Sequence, residues 1–565
     1  MMKPVLEIRN LRLELEEPLK GSKPIVSDIN LKVHPGEVHA LIGESGSGKT
    51  TIALSAMGYV RPGLTRAAGQ VFLKGTDLFT LSPHALRDIR GNRVTYVAQS
   101  AAASFNPSLR IGHQVTETPR EHALMSVAEA QAKASMLYQE LRIPTPDKIA
   151  HRFPHEVSGG QLQRLMAAMA MISRPDLIIF DEPTTALDVT TQLSVLMAFR
   201  DLIKKHNTAA IYVSHDLALV AQIADRVTVL LNGEVKEEAE MSALIAAPKH
   251  EYSRVLMAAG TPSSDCPQAG QTETCGEIPL LRLESIYAGY GPVDANGQPA
   301  YPVIRDVNLS IEKGAVAGII GESGSGKSTM AKVIAGLLPA ARGEMLIKGT
   351  PLNPRVEDRN NEMVRRIQLV SQSADTALNP SHTIEKILGR PVEYFTGLKG
   401  SARRSRVREL LELVSLPPSV MDRRPSELSG GQKQRINLAR ALAAEPELIL
   451  CDEVTSALDS IVRNSIVDLI SQLREKLGLA ILFISHDVST VSRIADTVAV
   501  MHRGLIVESG PTGRVLVKPE HPYTRLLLNS VPRVEIGWLE KAYEKVQFEQ
   551  SVLMSAKEVT STLQG

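Results

Sequence analysis

The stretch VHALIGESGSGKTT, residues 38–51, decides the fold of this chain. A short apolar run that ends in glycine predicts a buried strand, and the residues from Lys49 onward predict a helix. The pattern GxxxxGK[ST] between a strand and a helix is typical of a phosphate-binding loop, in which backbone N–H groups and the helix N-terminus face an anion. The segment therefore predicts an α/β domain built around an anion site.

The chain contains this pattern twice, because AVAGIIGESGSGKST at residues 315–329 repeats the first segment. Three further pairs share one constant spacing along the sequence: Ser158/Ser429, Asp181/Asp452 and His215/His486. Solenoid repeats have periods of roughly 20 to 50 residues, far shorter than this one. The sequence therefore predicts two complete domains fused in one chain.

The composition is that of an ordinary globular protein. Of the 565 residues, 43% are hydrophobic and 22% are charged, which excludes collagen-like and disordered classes. Lys and Arg together number 63 and Asp and Glu 62, so the formal net charge of +1 gives no general attraction to nucleic acid. We expect no nucleic-acid partner.

The sequence also indicates a compartment. Cys266, Cys275 and Cys451 are too few and too scattered for a disulfide framework, which favours a reducing cytosol. The N-terminus carries charges throughout and has no signal-peptide pattern. Apolar runs such as residues 165–172 fall far short of the roughly 18 to 20 residues that span a bilayer. A membrane role would therefore depend on partners.

The domain boundaries follow from a Gly-, Pro- and Ser-rich stretch near the middle of the chain. We expect a first domain at residues 1–262, a linker at 263–279, a second domain at 280–534 and a charged tail at 535–565, to which no function is assigned. Ahead of each SGGQ the composition becomes helical, as in SVAEAQAKASMLYQEL and SARRSRVRELLELV. Each domain should therefore include a helical subdomain.

The phosphate-binding loops supply the first functional side chains. Lys49 and Lys327 should reach the β- and γ-phosphates of a bound nucleotide. Thr50 and Ser328, next in sequence, should place a hydroxyl on Mg²⁺. Two such loops, each between a predicted strand and a predicted helix, indicate two nucleotide sites.

Paired carboxylates follow two apolar runs, DLIIF and ELILC. Asp181 and Asp452 come first in each pair and can hold Mg²⁺, while Glu182 and Glu453 can orient an attacking water. An isolated buried carboxylate is costly, so a metal-linked role is favoured over a solvated strand end. The pairs predict nucleotide hydrolysis as well as binding.

The sequence SGGQ before each amphipathic helix offers a serine hydroxyl and glycine N–H groups at a helix N-terminus, although alone it could be a simple helix cap. With this motif the chain resembles the ATP-binding subunits of ABC transporters. The resemblance covers nearly all of both halves and implies two tandem P-loop NTPase domains of α/β class. Each would have a mostly parallel sheet core, an antiparallel β part and a helical subdomain.

By this resemblance two such domains pair head to tail, so that ATP lies between the phosphate-binding loop of one and the SGGQ of the other. His215 and His486 are the switch histidines, which with Glu182 and Glu453 form the expected catalytic set. The expected ATP-binding residues are Gly43, Glu44, Ser45, Gly46, Ser47, Gly48, Lys49, Thr50, Thr51, Gly321, Glu322, Ser323, Gly324, Ser325, Gly326, Lys327, Ser328, Thr329, Tyr290, Gln99, Gln372, Ser158, Gly159, Gly160, Gln161, Ser429, Gly430, Gly431, Gln432, Asp188 and Asp459. The expected Mg²⁺ residues are Thr50, Ser328, Gln99, Gln372, Asp181 and Asp452.

Other segments resemble the ATPases of oligopeptide, dipeptide and nickel importers. They are SFNPSLRIGHQV at 104–115, ALNPSHTIEKIL at 377–388, HPYTRLLLNSVP at 521–532 and its weaker echo HEYSRVLMAAG at 250–260. Fused tandem ATPases of peptide or glutathione import are the most similar type. Some members of this group bind an iron–sulfur cluster near each C-terminus, but Cys266 and Cys275 are too few for four-thiolate ligation. We expect no cluster.

The resemblance implies an energy-coupling subunit that uses ATP and Mg²⁺. It would act on two transmembrane permease subunits at the cytoplasmic face of a bacterial inner membrane and serve an extracytoplasmic substrate-binding protein indirectly. One alternative is a non-transport tandem ATPase acting on ribosomes or DNA, and another is a nucleotide-gated module with a dead site. The linker, which is nearly uncharged and expected to be flexible, speaks against the former, since tandem ATPases of the ribosome typically have a long charged helical linker, and the complete catalytic sets speak against the latter. The cargo stays open.

The two sites are expected to differ in how they hold adenine. ABC ATPases usually stack the base on an aromatic side chain upstream of the lysine, and the second half offers Tyr290, with Tyr287 nearby. No Phe, Trp or Tyr occurs before Gly58, and Leu15 is the expected counterpart. The site with Lys49 should therefore bind ATP more weakly and select adenine less strongly.

Overall fold

The computed structural model describes residues 3–17, 21–185, 187–260, 278–294, 297–456 and 458–562. Most of the expected linker, with Cys266 and Cys275, lies outside these residues. The chain forms two compact units. The first comprises Met1–Thr261, Asp459–Ile461 and Pro532–Lys545, and the second comprises Pro262–Leu458, Val462–Val531 and Val546–Gly565.

The first half of the chain alternates strands and helices, with short 3-10 turns at Leu78–Thr80 and Pro154–Glu156. Its strands are β1 (Leu6–Glu17), β2 (Gly21–Val33), β3 (Val38–Gly43), β4 (Leu64–Leu73), β5 (Thr76–Asp77), β6 (Val94–Val97), β7 (Leu177–Asp181), β8 (Ala209–Val213), β9 (Arg226–Leu231) and β10 (Glu234–Glu240). Its helices are α1 (Lys49–Ser55), α2 (Pro83–Ile89), α3 (Ala101–Ser104), α4 (Ile111–Val115), α5 (Glu117–Glu121), α6 (Val127–Glu140), α7 (Pro146–Ile149), α8 (Gly159–Met171), α9 (Val189–His206), α10 (Leu217–Ile223), α11 (Met241–Ala246) and α12 (Glu251–Gly260).

Two sheets form the first unit. The larger has the order β10-β9-β3-β8-β7-β6 and is parallel except for the edge strand β10, while the smaller is antiparallel with the order β2-β1-β4-β5. Every residue of β3, β7 and β8 is buried, as expected for central strands covered on both faces. A single core joins both sheets and α1. The carboxyl ends of the central strands meet at one edge, where such folds carry their chemistry.

The second half repeats this plan, with 3-10 turns at Val356–Asp358, Pro418–Val420 and Pro425–Glu427. Its strands are β11 (Leu281–Val293), β12 (Pro299–Ile311), β13 (Val316–Ile320), β14 (Arg342–Ile347), β15 (Thr350–Pro351), β16 (Ile367–Val370), β17 (Leu448–Asp452), β18 (Ala480–Ile484), β19 (Thr497–His502) and β20 (Leu505–Pro511). Its helices are α13 (Lys327–Ile334), α14 (Asn361–Arg366), α15 (Ala374–Ala377), α16 (Ile384–Thr396), α17 (Gly400–Leu413), α18 (Gly430–Leu442), α19 (Ser460–Leu477), α20 (Val488–Ile494), α21 (Thr512–Val517), α22 (Pro522–Asn529) and α23 (Trp538–Thr562).

The second unit has the same two sheets, in the orders β16-β17-β18-β13-β19-β20 and β12-β11-β14-β15. Again the larger is parallel except for its last strand, β20, and the smaller is antiparallel. Helical segments lie between SGGQ and the glutamine that precedes it, Gln99 or Gln372 (the Q-loop glutamines of the family resemblance), in both units, α6 and α17 among them. The predicted α/β class, with its antiparallel part and helical subdomains, is confirmed.

A late segment of the chain, Pro532–Lys545, belongs to the first unit. The amide of Gln222 on α10 fixes it there: Nε2 donates to the carbonyl of Glu535 at 3.1 Å, and Oε1 accepts from the N–H of Leu539 at 3.1 Å. The side chains of Trp538 and Leu539 are buried. Within the described part of the chain, no helix combines the length and the apolar character that crossing a bilayer requires.

Candidate functional sites

In both phosphate-binding loops, the lysine side chain donates hydrogen bonds to carbonyl groups of the loop itself. Lys49 is buried, and its Nζ donates to the carbonyls of Gly43 at 2.8 Å and Glu44 at 2.7 Å. The neighbouring loop residues Ser45 and Gly46 are exposed at the crest of the loop. Burial lowers the pKa of Lys49, although nearby carboxylates oppose this. The amine is therefore held by two carbonyl groups of its own loop.

The second loop repeats this arrangement, since Lys327 Nζ donates to the carbonyls of Gly321 at 2.9 Å and Glu322 at 2.8 Å. The residue before each lysine has a left-handed backbone, with φ of 93° at Gly48 and 110° at Gly326. Glycine adopts this conformation without the steric cost that a side chain would bring. The predicted loops therefore lie between strand and helix as expected.

Asp181 ends β7 under the first loop and is buried. Its Oδ1 accepts from Thr50 Oγ1 at 3.0 Å, and its Oδ2 accepts from the hydroxyl of Tyr96 at 2.7 Å. Burial raises the pKa of Asp181, and the charge of Glu182 adds to this effect, while the two hydrogen bonds oppose it. The predicted hydroxyl and carboxylate thus lie together.

Asp452 occupies the same place in the second unit, and its Oδ1 accepts from Ser328 Oγ at 2.8 Å. Burial again raises its pKa. The residue equivalent to Tyr96 is Leu369, because Tyr96 pairs with Ile179 and Leu369 pairs with Leu450 in the same register. Leucine has no hydroxyl, so Asp452 lacks this second donor.

Glu182 is held by a clamp of three side chains. Gln99 Nε2 donates to Oε2 at 3.1 Å, Thr185 Oγ1 donates to Oε2 at 3.2 Å, and His215 Nδ1 donates to Oε1 at 3.0 Å. The backbone of Glu182 is left-handed, with φ of 48°, a conformation that costs energy outside glycine. The structure therefore brings the expected water-orienting acid, Q-loop glutamine and switch histidine into contact.

Glu453 has the equivalent surroundings. Gln372 Nε2 donates to its Oε2 at 2.9 Å, His486 Nδ1 lies 3.5 Å from Oε2, and the Nζ of Lys327 lies 3.9 Å from Oε1. Its φ is 49°. Burial alone would raise the pKa of this carboxyl, but the contact and charge of His486 hold it below its usual value, and the same balance applies to Glu182.

The SGGQ motifs begin α8 and α18 as capping boxes. Ser158 Oγ accepts from the N–H of Gln161 at 3.4 Å, while Gln161 Oε1 accepts from the N–H of Ser158 at 3.1 Å. Ser429 and Gln432 form the same pair at 3.3 Å and 3.0 Å. The helix cap that the sequence allowed is therefore present, and the serine and first glycine of each motif remain exposed.

The glycines of these motifs differ in their packing. A Cβ on Gly160 would lie 2.2 Å from Thr191 Cγ2, and one on Gly431 would lie 2.6 Å from Val462 Cγ1. The preceding residues, Gly159 and Gly430, have nothing nearer than 3.8 Å. The second glycine of each motif therefore serves helix packing, whereas the first leaves the helix N-terminus open.

The remaining predicted residues lie nearby or on the smaller sheet. Asp188 caps α9 by accepting from the N–H of Thr191 at 2.9 Å, and Asp459 is buried just before α19. Tyr290 lies on β11 and is 46% exposed. Leu15 on β1 is its counterpart in register.

That register is set by cross-strand partners: Leu15 pairs with Lys23, and Tyr290 pairs with Tyr301. Two residues earlier, Leu13 pairs with Val26 and Ala288 pairs with Ile304. These two pairs occupy equivalent positions of the two smaller sheets, so Leu15 and Tyr290 are equivalent as well. The remaining predicted loop residues, Ser47, Thr51, Ser323, Gly324, Ser325 and Thr329, lie in or directly after the two loops.

Sequence reasoning missed three tyrosines next to the predicted site residues. Besides Tyr96, the hydroxyl of Tyr252 accepts from the N–H of Glu44 at 3.1 Å, and that of Tyr523 accepts from the N–H of Glu322 at 3.0 Å. Tyr252 and Tyr523 have the same spacing in the sequence as the Asp181/Asp452 pair, and this spacing was the available signal. Fold and sites together define a tandem P-loop nucleoside triphosphatase.

Comparison with known proteins identifies its family. The model described as "ABC transporter" matches residues 26–185 and 304–456, and that described as "Oligopeptide/dipeptide transporter, C-terminal region" matches residues 507–552. The Glutathione import ATP-binding protein GsiA of Escherichia coli (strain K12) is 35% identical to this chain, and the match covers 94% of this chain and 90% of GsiA. The Peptidoglycan transport ATP-binding protein YejF of Agrobacterium fabrum is 34% identical, and the match covers 94% of this chain and 97% of YejF.

Among solved structures, the ATP-binding cassette MJ0796 bound to ADP and Pi is 30% identical over 41% of this chain and 99% of that chain, with a TM-score of 0.37. The chain belongs to the ABC transporter family. Within it, the chain is an ATP-hydrolysing, energy-coupling subunit of the importer type.

Proposed function

We propose that each phosphate-binding loop binds ATP together with Mg²⁺. The donor sets fit both groups: Lys49 and Lys327 are buried amines at the start of a helix, where negative charge is favoured. Thr50 beside Asp181, and Ser328 beside Asp452, are the hard oxygen ligands that Mg²⁺ prefers. Burial disfavours an uncompensated charge on the two aspartates, so a cation there is chemically consistent.

Hydrolysis requires water to attack the γ-phosphorus while the bond from that phosphorus to the β–γ bridging oxygen breaks, which yields ADP and phosphate. Mg²⁺, when bound, would neutralise charge on the β- and γ-phosphates. We assign Glu182 and Glu453 to orient the water and accept its proton. Their lowered pKa values keep both carboxylates ionised at neutral pH. The carboxylate can therefore accept a hydrogen bond from water throughout the physiological range.

The contacts on each glutamate indicate what the neighbouring glutamine and histidine could do when ATP binds. Both oxygens of Glu182 are engaged by Gln99 and His215, and Thr185 is a second donor to Oε2, so movement of Gln99 or His215 would free further acceptor capacity on the carboxylate for a water. The γ-phosphate is a stronger acceptor for a glutamine or histidine N–H than a shared carboxylate oxygen. We infer that ATP binding draws Gln99 and His215 toward the phosphate and releases Glu182. In the second site Gln372 Nε2 and His486 Nδ1 both contact Oε2 of Glu453, at 2.9 Å and 3.5 Å, and we propose the same movement of these two side chains there.

The SGGQ helix starts are the remaining anion-binding elements of the proposed site. Ser158 and Ser429 are exposed at the N-termini of α8 and α18, each a helix of 13 residues. We propose that they contact the γ-phosphate of ATP through hydroxyl and backbone N–H groups. Asp188 and Asp459 would position the neighbouring loops, and Tyr290 would stack on adenine in the second half.

The cargo we propose is a peptide or a related small solute, including glutathione-like thiols. The C-terminal match to oligopeptide and dipeptide transporters, together with the relatives named for glutathione import and peptidoglycan transport, supports this class. We further propose two transmembrane permease subunits as direct partners and an extracytoplasmic substrate-binding protein as an indirect one. The chain would act at the cytoplasmic face of the inner membrane, without an iron–sulfur cluster.

Co-expression with candidate permease subunits from the same genome, followed by purification in mild detergent, tests this proposal. We expect two polytopic membrane proteins to co-purify with the chain. Vesicles that contain the complex, with ATP on the side of this chain and the substrate-binding protein on the other, should take up labelled di- or tripeptide or glutathione. Recovery of ribosomes or DNA in place of permeases would contradict import and favour a non-transport ATPase. Glu182→Gln with Glu453→Gln is the matched control, because it should assemble normally yet fail to drive uptake.

A further inference from the structure

A buried tyrosine lies against each phosphate-binding loop, on a helix near the end of each unit. Tyr252 on α12 and Tyr523 on α22 are 9% and 1% exposed. Their hydroxyls accept from the N–H groups of Glu44 and Glu322, respectively, at 3.1 Å and 3.0 Å. A buried tyrosine usually finds a hydrogen-bond partner, so contact alone assigns no role. The role follows from which peptide group the hydroxyl fixes.

Glu44 is the residue whose carbonyl receives the lysine. Its C=O accepts from Lys49 Nζ at 2.7 Å and from the N–H of Ser47 at 3.2 Å, while its N–H donates to Tyr252. In the second unit the carbonyl of Glu322 accepts from Lys327 Nζ at 2.8 Å. The tyrosine thus restrains the residue on which the lysine rests. When the lysine turns toward phosphate, the tyrosine contact remains to hold the loop.

The tyrosine is in turn fixed to the edge of the main sheet. In the second unit Glu508 on β20 accepts from the N–H groups of Glu520 at 2.9 Å and His521 at 3.0 Å, and His521 Nδ1 accepts from the N–H of Tyr523 at 3.1 Å. The side chain of His502 packs on the Tyr523 ring at 3.9 Å between centroids. The helix start is therefore pinned to a strand.

The first unit builds the same chain of contacts. Glu237 on β10 accepts from the N–H groups of Lys249 at 3.0 Å and His250 at 2.9 Å, and His250 Nδ1 accepts from the N–H of Tyr252 at 3.1 Å. The acid, histidine and tyrosine of this unit recur in the second at one common spacing. The three-residue connection from sheet edge to phosphate-binding loop is therefore present in both units.

We propose that Tyr252 and Tyr523 are positioning residues for ATP binding: each hydroxyl pre-orders its phosphate-binding loop. We name the set Glu237, His250 and Tyr252, with its counterpart Glu508, His521 and Tyr523, the tyrosine strut. This inference rests on the proposed ATP-binding role of the two loops. Without the hydroxyl, the N–H of Glu44 or Glu322 loses its partner, and ATP must order a looser loop. Affinity for ATP therefore falls, while turnover at saturating ATP does not.

The test uses the full chain with one site silenced. Tyr252→Phe in the Lys327→Ala background reports on the Lys49 site, and Tyr523→Phe in the Lys49→Ala background reports on the Lys327 site. Titration with Mg-ATP and a fluorescent ATP analogue should show Kd raised about three- to tenfold, the range expected for one hydrogen bond. The same tyrosine substitutions in the otherwise unchanged chain should raise KM while kcat stays within about twofold.

Tyr138→Phe is the matched control. Tyr138 is 2% exposed, and its hydroxyl has no hydrogen-bond partner among the residues that the structure describes. This variant should bind ATP like the parent protein. Glu237→Gln and Glu508→Gln weaken the strut at its other end, at the edge of the main sheet, and should raise Kd by a smaller factor. These two variants replace the tyrosine variants in the test if a phenylalanine variant does not fold.

Three results would each contradict the proposed role of the tyrosine strut. They are an unchanged Kd in both phenylalanine variants, an equal change of Kd in Tyr138→Phe, and a loss of kcat with unchanged Kd. The double variant Lys49→Ala with Lys327→Ala tests the underlying premise separately. If it still binds ATP with parental affinity, the proposed ATP sites themselves are wrong. If it loses binding while the phenylalanine variants do not, the sites stand and only the strut fails.

Discussion

The two halves of this chain agree closely at the proposed phosphate sites and differ at several positions around them. Both place a lysine on two loop carbonyls and clamp a left-handed glutamate with a glutamine and a histidine. Among the positions that differ are Leu15/Tyr290 on the smaller sheets, Tyr96/Leu369 beside the aspartate, and Gln192/Arg463 on α9 and α19. The comparison shows that the lysine, glutamate, glutamine and histidine contacts recur in both halves, while the residues around them differ.

If the two glutamates do the same work, both must be needed for full turnover. Glu182→Gln and Glu453→Gln should each remove at least about half of the ATPase activity of the assembled transporter. Together they should lower kcat by about 10² to 10⁴, the usual range for a general base. ATP binding should persist, because the amide keeps the size of the side chain. Steady-state phosphate release and trapped nucleotide are the measurements.

If one of the two single variants retains parental turnover, the substituted site does not contribute to hydrolysis. The two sites would then not be equivalent. Asp201→Asn serves as the control, since the Asp201 carboxylate pairs with Arg142 far along α9 from the clamp. That variant should leave kcat unchanged. A parental rate in the double glutamine variant would refute the assignment of both acids.

The two units also differ at Arg463, which donates from Nη1 to Asp487 Oδ2 at 2.9 Å. Gln192 stands at the equivalent place in the first unit. Burial would raise the pKa of Asp487, but Arg463 and hydrogen bonds from Ser489 and Thr490 hold it at about 2. Because this lies below the ordinary value, the contribution to stability is present above about pH 4 and is lost as pH falls toward 2.

Arg463→Gln should therefore destabilise the second unit by about 2 kcal/mol at neutral pH, or about 4 °C to 8 °C in the melting transition of that unit. The difference from the parent should shrink as the solution is acidified below pH 4. Arg474→Gln, on the same helix, is the control: its partner Asp496 is 36% exposed, so its ion pair should contribute less. Equal losses at every pH would contradict the electrostatic origin.

The proposed adenine-stacking position is the next difference. Tyr290 is 46% exposed on β11, and Leu15 holds the equivalent register on β1. Base–aromatic stacking contributes about 1 to 3 kcal/mol, or about five- to 150-fold in affinity. Because leucine recovers part of this by apolar contact, the Lys49 site, read in Lys327→Ala, should bind ATP about fivefold more weakly than the Lys327 site, read in Lys49→Ala.

The reciprocal exchange sharpens this prediction. Leu15→Tyr should tighten ATP at the first site and increase its preference for ATP over GTP, while Tyr290→Leu should do the opposite at the second. Tyr301→Leu is the matched control, since Tyr301 is the exposed cross-strand partner of Tyr290. Equal affinity and equal base preference at both surviving sites would overturn the predicted asymmetry.

How far the sequence predicts this molecule depends on how local each feature is. Lys49, the carboxylates after β7 and the start of α8 were placed correctly, because strand, loop and helix lie within one continuous segment and parallel strands bring their ends together. Trp538 and Leu539 were missed: a short apolar pair in a charged tail gives no indication that it packs in the first unit. The partner of Leu539, Gln222, lies in the first half of the chain, far away in sequence.

Tyr96 was also missed, and it provides the smallest expected effect. In VTYV it reads as one more apolar strand residue, and only the parallel pairing of β6 with β7 brings its hydroxyl to Asp181. Tyr96→Phe removes one hydrogen-bond donor from the buried carboxylate of Asp181. We expect about a threefold higher Mg²⁺ requirement for ATP binding at the Lys49 site, as for loss of one hydrogen bond.

The second unit supplies the internal reference for this last change, because Leu369 already lacks the hydroxyl behind Asp452. Tyr96→Phe should therefore bring the Mg²⁺ dependence of the first site toward that of the second, measured in the Lys327→Ala and Lys49→Ala backgrounds. Tyr138→Phe should cause no shift. If Tyr96→Phe leaves the Mg²⁺ titration of the first site unchanged, Thr50 alone is sufficient to orient Asp181, and the two halves are equal at this position despite their different residues.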